Sequence, residues 1–344
     1  MTRSVFSLIL LSLSSLTLFP QILGGQVQAD RGDQPIEVAN IFRFRSLGPA
    51  LVSGRISDVA VDPRNRSVWY VGVSSGNVWK TVNRGTTWEP VFDDFGSYSI
   101  GAVTVDSVHP EVVWVGTGEN ASQRSAGFGD GIYKSEDGGA SFRHMGLERS
   151  EHIGDILVDP RDSDVVYAAS QGPLWSEGGD RGLYKTTDGG ETWERVLHVS
   201  EDTGIADIVF DAFDPDVIYA ASYQRRRHVG LLVAGGPEGR IFKSTDAGAN
   251  WSEIMAGMPQ VDLGRIALEV SPFQPGVVYA LVAAQDDESG FFRSADYGES
   301  WTKQSDYIVV DPQYYGELFA DPHRRGRVCA VDVNIHCTED EGVT

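Results

Sequence analysis

The stretch "TTDGGETW", Thr186 to Trp193, decides the fold. Its order is a hydroxyl residue, a spacer, Asp, a spacer, Gly, two spacers and an aromatic. An Asp carboxylate accepts hydrogen bonds from backbone N–H groups two residues on, and a Ser or Thr hydroxyl assists. The Gly allows the positive φ that a tight reversal needs. The aromatic then re-enters the sheet and packs on a neighbour. The stretch therefore reads as a turn between two strands, and nothing in it calls for catalysis.

The pattern recurs along the chain. It appears as "SEDGGASF" (Ser135 to Phe142), "STDAGANW" (Ser244 to Trp251) and "SADYGESW" (Ser294 to Trp301). "TVNRGTTW" (Thr81 to Trp88) has Asn for Asp, and "TEDEGVT" (Thr338 to Thr344) lacks the aromatic. The key residues, Asn83, Asp137, Asp188, Asp246, Asp296 and Asp340, are assigned structural roles. Between these turns lie two further apolar runs, such as "IGDILVDP" followed by "VVYAAS". A third run, such as "GLYKT", leads into each turn, and the residues after the aromatic give a fourth. Four short strands in a repeat of roughly 50 residues read as a β-propeller blade. The fold class is thus all-β, a propeller with about six four-stranded blades present and the sixth incomplete. Two readings of that last blade stay open. The segment "IFRFRSL" (Ile41 to Leu47) supplies its fourth strand, or the chain is a piece of a larger propeller, which the stop inside a turn favours.

Residues 1–29 read as a secretory signal peptide, with Arg3, an apolar run from Val5 to Phe19, and small residues before Asp30. Residues 30–344 form the propeller domain, and the expected location is secreted or periplasmic. The apolar run is too short and serine-rich to anchor the chain, and no later stretch spans a membrane. The formal charge of −21 argues against nucleic acid as a partner. No cofactor or metal motif stands out. The two cysteines, Cys329 and Cys337, fall on successive strands. A turn around Val333 pairs them directly and sets their sulfurs side by side.

A site is expected opposite the turns, where loops vary on a rigid scaffold. One strand-one column reads Asp58, Ala102, Asp155, Asp207, Ala267 and Glu317, counted back from the turn after strand one. Its acids, Asp58, Asp155, Asp207 and Glu317, are candidate catalytic groups or a ring for a basic group. Otherwise they are solvated or paired, with Arg55 and Arg265 near. Three loops between strands two and three are long, at residues 118–131, 171–182 and 223–239. They offer Arg124, Phe128, Trp175, Arg225, Arg226, Arg227 and His228 as contacts for a polypeptide or glycan. Ordinary packing between blades is the plain alternative.

With these residues in hand, the chain resembles the Asp-box (BNR-repeat) propellers, a group with sialidases, xyloglucanase-type glycoside hydrolases, photosystem assembly factors and sortilin. Beyond the turns, "SLGPALVSGRISDVAVDP", "GTGENASQRSAGFGDGIYKSEDGG" and "LGRIALEVSP" are most similar to bacterial secreted proteins with a sortilin (VPS10) N-terminal-like propeller, often labelled glycosyl hydrolase. The resemblance runs from about Phe42 to Gly342. It implies the fold more firmly than an activity. Xyloglucanase-type enzymes carry a catalytic Asp after strand two of the first blade, where this chain has Ser74 and Ser75. The leading expectation is a secreted binding propeller that holds a polypeptide or glycan on its loop face, through Arg55, Trp175, Arg225, Arg226, Arg227 and His228. The alternatives are a glycoside hydrolase using the column acids, and an assembly scaffold.

Overall fold

The computed structural model describes residues 54–309, 314 and 316–344. The expected signal peptide and the segment Ile41 to Leu47 lie outside the described residues. All regular structure among the described residues is strand. Blade 1 holds β1 (Ile56–Val61), β2 (Trp69–Val73), β3 (Asn77–Thr81) and β4 (Glu89–Pro90). Blade 2 holds β5 (Ile100–Val105), β6 (Val113–Thr117), β7 (Ile132–Ser135) and β8 (Arg143–His144). Blade 3 holds β9 (Ile153–Val158), β10 (Val166–Ser170), β11 (Gly182–Thr186) and β12 (Glu194–Leu197). Blade 4 holds β13 (Thr203–Phe210), β14 (Ile218–His228), β15 (Leu231–Ala234), β16 (Ile241–Ser244) and β17 (Ser252–Glu253). Blade 5 holds β18 (Leu263–Val270), β19 (Val278–Ala284), β20 (Gly290–Ser294) and β21 (Thr302–Ser305). Blade 6 holds β22 (Glu317–Ala320), β23 (Val328–Val331) and β24 (Ile335–Thr338).

Each blade is an antiparallel sheet in simple up-and-down order, and together they form a β-propeller. Five sheets have a path of four strands and the sixth has three; β15 is an extra strand beside β14. The six first strands line a central channel.

The D-x-G turns explain how each blade reverses. At Asp188 one carboxylate oxygen accepts from the backbone N–H of Thr192 (2.9 Å), and the other from its hydroxyl. The Thr186 hydroxyl donates to Asp188 and accepts from the N–H of Gly190 (3.0 Å). The carboxylate thus reaches four residues on, not two, and the hydroxyl serves the nearer amide. Two consecutive residues take left-handed φ, Gly189 (68°) and Gly190 (96°). Asn83 makes the same turn, accepting from the N–H of Thr87 and donating to its hydroxyl. The turn after strand one is held by another Asp. Asp106 caps the N–H groups of Val108 and His109.

Blades pack through one repeated contact. A buried ring on the second strand, Tyr70, Trp114, Tyr167 or Tyr219, lies under the turn glycine of the next blade. A Cβ at Gly190 would come within 2.7 Å of Trp114, so only glycine fits there. The apolar residues of facing blades then form one cluster per seam. Ile132 and Ile153, for example, meet in the cluster between blades 2 and 3. Full burial of such a side chain is worth about 1.5–3 kcal/mol.

In blade 6, Cys329 pairs with Cys337 and Ala330 with His336, the register read from the sequence. The cysteines are disulfide-bonded, with Cα atoms 4.0 Å apart.

Candidate functional site

Five first strands, β1, β9, β13, β18 and β22, bring carboxylates into the channel. A bulge in β1 at Asp58, in β9 near Asp155 and in β13 at Asp207 turns each side chain inward. Asp58, Asp155, Asp207 and Glu317 line one cavity of about 170 Å³, together with Arg265 and Glu269. Glu269 is the acid that counting from the turn missed. The fifth-blade column residue is Ala267, and the carboxylate comes from two positions further along β18.

Most of these groups are tied to backbone. Asp58 accepts from Val59 N–H (2.7 Å) and, across the seam, from Val103 N–H (2.8 Å). Asp207 likewise accepts from Leu268 N–H of the next blade (2.8 Å). Glu269 accepts from Ala320 N–H (3.2 Å) and Val270 N–H (2.8 Å). Asp155 accepts from Ile156 N–H (2.7 Å). Burial pushes Asp58 up to about 7, with Glu317 adding repulsion. Burial also lifts Asp207 and Glu269 to about 7. Asp155 is held well above the carboxylate range by burial, then by Asp207 and Asp58. Glu317 is raised by burial against the pull of Arg265 and an Asn120 hydrogen bond. Asp58, Asp207 and Glu269 thus each staple their blade to the next. Among the described residues, no group of three His, Cys, Asp or Glu side chains is placed to hold a metal ion.

The loop at residues 118–131 has a buried stretch, Glu119, Asn120, Ala121 and Ser122. Side chains from three other blades grip its carbonyls. His152 Nδ1 meets Glu119 O (2.7 Å), and Arg265 Nη1 donates to Asn120 O (2.8 Å). Arg225 Nη1 donates to Ala121 O (2.9 Å), and Arg227 Nε to Ser122 O (2.7 Å). The Glu119 carboxylate pairs with Arg55, whose Nη2 donates to Oε2 at 2.7 Å. Three of the expected contact residues, Arg55, Arg225 and Arg227, are therefore committed to this loop. Arg225 and Arg227 are buried. Their surroundings follow from β14, which runs on to His228 where a loop was expected. Side chains alternate along a strand, so Arg225 and Arg227 point in. Arg226 pairs with Asp202, and His228 is exposed.

What remains at the surface is an arc of apolar groups. Tyr98, Phe128 and Trp175 are exposed, as are Val229 and Leu231 at the β14–β15 tip. Hydrogen bonds link their loops in series. Ser97 Oγ donates to Phe128 O (2.8 Å), and Gly129 N–H to Glu151 O (2.7 Å). Asp180 N–H donates to Arg149 O (3.0 Å), and Arg227 N–H to Leu174 O (2.8 Å). Glu151 stands within this arc at a left-handed φ of 53°. Burial raises its carboxyl, against the pull of Arg181 and Arg225. Sequence reasoning missed Tyr98 and Glu151, because both lie in short connections between blades and not in the long loops. Ser74, where the resembling enzymes carry an acid, is buried.

The family model described as Sortilin-Vps10 (sortilin, neurotensin receptor 3) matches residues 130–263 and 181–342. A xyloglucanase of Paenibacillus sp is 24% identical over 260 residues, which cover 65% of this chain and 23% of that protein. Xyloglucanase Xgh74A of Acetivibrio thermocellus is 26% identical over 256 residues, 65% of this chain and 28% of that protein. The chain thus spans about a quarter of the length of these relatives. Among solved structures, the Niastella koreensis GH74 enzyme superposes with a TM-score of 0.62 at 18% identity, covering 83% of this chain and 45% of that one. The Xanthomonas campestris GH74 xyloglucanase gives 0.51 at 19%, covering 84% and 52%. These structural likenesses concern the fold.

Proposed function

The chain belongs to the Sortilin-Vps10 family, and from that premise we propose that it acts on polysaccharide as a glycoside hydrolase, with the loop face as its substrate-binding surface. The observation that carries this reading is the arc of exposed rings, Tyr98, Phe128 and Trp175. Flat aromatic faces offer sugar rings large, rigid contact area at low entropic cost. Relatives named as xyloglucanases support a β-glucan type of substrate and favour hydrolysis over the binding-only expectation.

Glycoside hydrolysis needs a carboxylic acid that is still protonated when it meets the leaving oxygen. Glu151 suits that role, since burial raises its pKa and it lies on the arc. The channel acids suit it less. They accept backbone hydrogen bonds in a cavity of about 170 Å³, too small for a polysaccharide chain. In this reading Asp58 and Asp207 join neighbouring blades, Asp155 bonds within its own strand, and Glu317 lies beside Arg265 in the same cavity. Trp175 and His228 remain proposed contacts at the surface. Arg55, Arg225 and Arg227 act on the substrate only through the loop they grip, and Arg226 through its pair with Asp202.

The test uses purified protein and soluble xyloglucan, with affinity electrophoresis for binding and reducing-end release for turnover. Trp175→Ala and Phe128→Ala are each expected to weaken retention about tenfold, the effect of losing one good aromatic anchor. Glu151→Gln is expected to keep retention and lose turnover. Absence of both retention and turnover in the unaltered chain, or retention indifferent to both aromatic variants, would overturn the reading.

A further inference from the structure

The end of β14 and the whole of β15 form a hairpin, Arg225 to Ala234, that extends beyond the pairings of β14 with β13 and β16. In an antiparallel ladder, opposed residues alternately bond to each other and turn their N–H and C=O groups outward. The Arg227 N–H donates to Leu174 O, away from β15, so Arg227 and its partner Leu232 are an outward-turned pair. Arg225 and Ala234, two positions along, are the next such pair. Leu232 and Ala234 therefore direct their main-chain groups away from β14, on the side of blade 5. Among the described residues β15 pairs with no strand there. The chain first bonds to blade 5 just past β15, where Gly236 bridges to Leu263.

A groove of about 390 Å³ lies along that edge. Leu232, Val233 and Ala234 form one wall, and Ala283 and Ala284 of β19 stand on the other. Among the described residues, its lining holds no basic side chain and no aromatic ring. Acids stand at the rim on the blade 5 side. Asp262 lines the groove, and its carbonyl accepts from Gln285 N–H (3.1 Å), which leads into the exposed run Asp286, Asp287 and Glu288. The strand itself, "LLVA", carries none of the charges, prolines or bulges that blunt exposed edges in other sheets.

We propose that the outer edge of β15 and the groove beside it form an acceptor site for an extended polypeptide segment in which basic and apolar residues alternate. The segment adds to the hairpin as a third strand and bonds to the outward main-chain groups of Leu232 and Ala234. Strand addition supplies affinity through main-chain hydrogen bonds and specificity through alternate side chains. Successive side chains of a strand face opposite ways. One set therefore covers the apolar walls, and the basic set reaches Asp286, Asp287 and Glu288. The net charge of −21 steers such a segment towards the chain. A neutral glucan would gain nothing from these acids and would find no ring to stack on in this groove. The inference is independent of the polysaccharide reading.

The test measures fluorescence polarisation of a labelled octapeptide of alternating lysine and valine against the whole chain, at about physiological salt. Saturable binding is expected. The same peptide with every backbone nitrogen methylated keeps its charges but donates no main-chain hydrogen bond, and should bind about tenfold more weakly. Leu232→Pro removes an outward N–H and spares the ladder to β14, and should weaken binding similarly. Because that variant could disturb the hairpin, a second protein carries Asp286→Asn, Asp287→Asn and Glu288→Gln. Asn accepts the left-handed φ of 56° and 61° found at the first two positions, so the loop keeps its course while the peptide binds about tenfold more weakly. No saturable binding, equal binding of the methylated peptide, or equal binding by the triple variant would each overturn the proposal. Displacement of the peptide by soluble xyloglucan would overturn it too, by giving the groove to the glycan.

Discussion

The seams between blades 1 and 5 and the seam between blades 6 and 1 carry the same kinds of residue at the same places in the repeat, with opposite surroundings. Ile100, Ile153 and Ile205 are fully buried against the blade before them, whereas Ile56 is 54% exposed. On the other side, Val78, Ile132, Leu183 and Ile241 are fully buried against the blade after them, whereas Ile335 is 69% exposed. The turn aromatic follows suit, with Trp301 at 4% and Trp88 at 38%. Ile56, Val59, Phe319 and Ile335 instead line a groove of about 620 Å³ between blades 1 and 6. The difference teaches that the repeat specifies which face of a blade is apolar, and only the presence of a neighbour decides whether that face is worth anything to stability.

The largest expected contrast is a buried charge. Ile132→Lys should cost more than about 4 kcal/mol, because an unpaired ammonium would sit inside the seam of blades 2 and 3. Ile335→Lys should change stability by less than about 0.5 kcal/mol. Urea denaturation of both variants measures the pair. A large loss in the second would break the comparison, by showing that something covers the open seam in solution. Next in size, Trp301→Ala should cost about 3–5 kcal/mol and Trp88→Ala about 1 kcal/mol. Similar losses would mean that Trp88 is buried in solution.

A third contrast concerns pH. Asp58, Asp207 and Glu269 each accept from an amide of the next blade and have pKa values raised to about 7. The folded state therefore holds protons that the unfolded chain releases near pH 4. This stability is complete below about pH 4 and is lost as pH rises through 7. The turn carboxylates behave oppositely. Hydrogen bonds hold Asp137, Asp188 and Asp340 down to about 2. Their stability is present above about pH 4 and is lost as pH falls towards 2. Buried His152, pushed well below its usual range, opposes the channel acids with a single proton. The melting temperature should therefore peak between about pH 4 and 5 and decline to pH 8. Asp207→Asn should flatten the decline. A melting temperature that rises from pH 5 to 8 would remove the channel acids from the account.

The smallest effect sharpens the comparison by ignoring the seams. Asp188→Ala and Asp340→Ala remove the same local turn bonds, one in blade 3 and one in blade 6. Each should lower the melting temperature by roughly 3 °C, as loss of a few exposed hydrogen bonds does. A clear difference between them would show that the turn depends on its neighbours.

What the sequence by itself determined is local and repeated. The D-x-G pattern announced each reversal, because a short acceptor, a hydroxyl and a left-handed glycine suffice to make that turn. The strand period, the first-strand acids and the pairing of Cys329 with Cys337 followed from counting outward from it. The loop face resisted such reading. Arg225 and Arg227 look like exposed anchors in a loop, yet they lie on an extension of β14 and reach carbonyls more than a hundred residues away. Glu119 reads as an ordinary loop acid until Arg55 from another blade meets it. Glu269 replaces the acid missing at Ala267 only because β18 carries it into the same channel. Which apolar faces are sealed and which carboxylates are buried were decided by tertiary structure alone. Burial and desolvation depend on what lies across the seam, and residues across a seam are not neighbours in the chain.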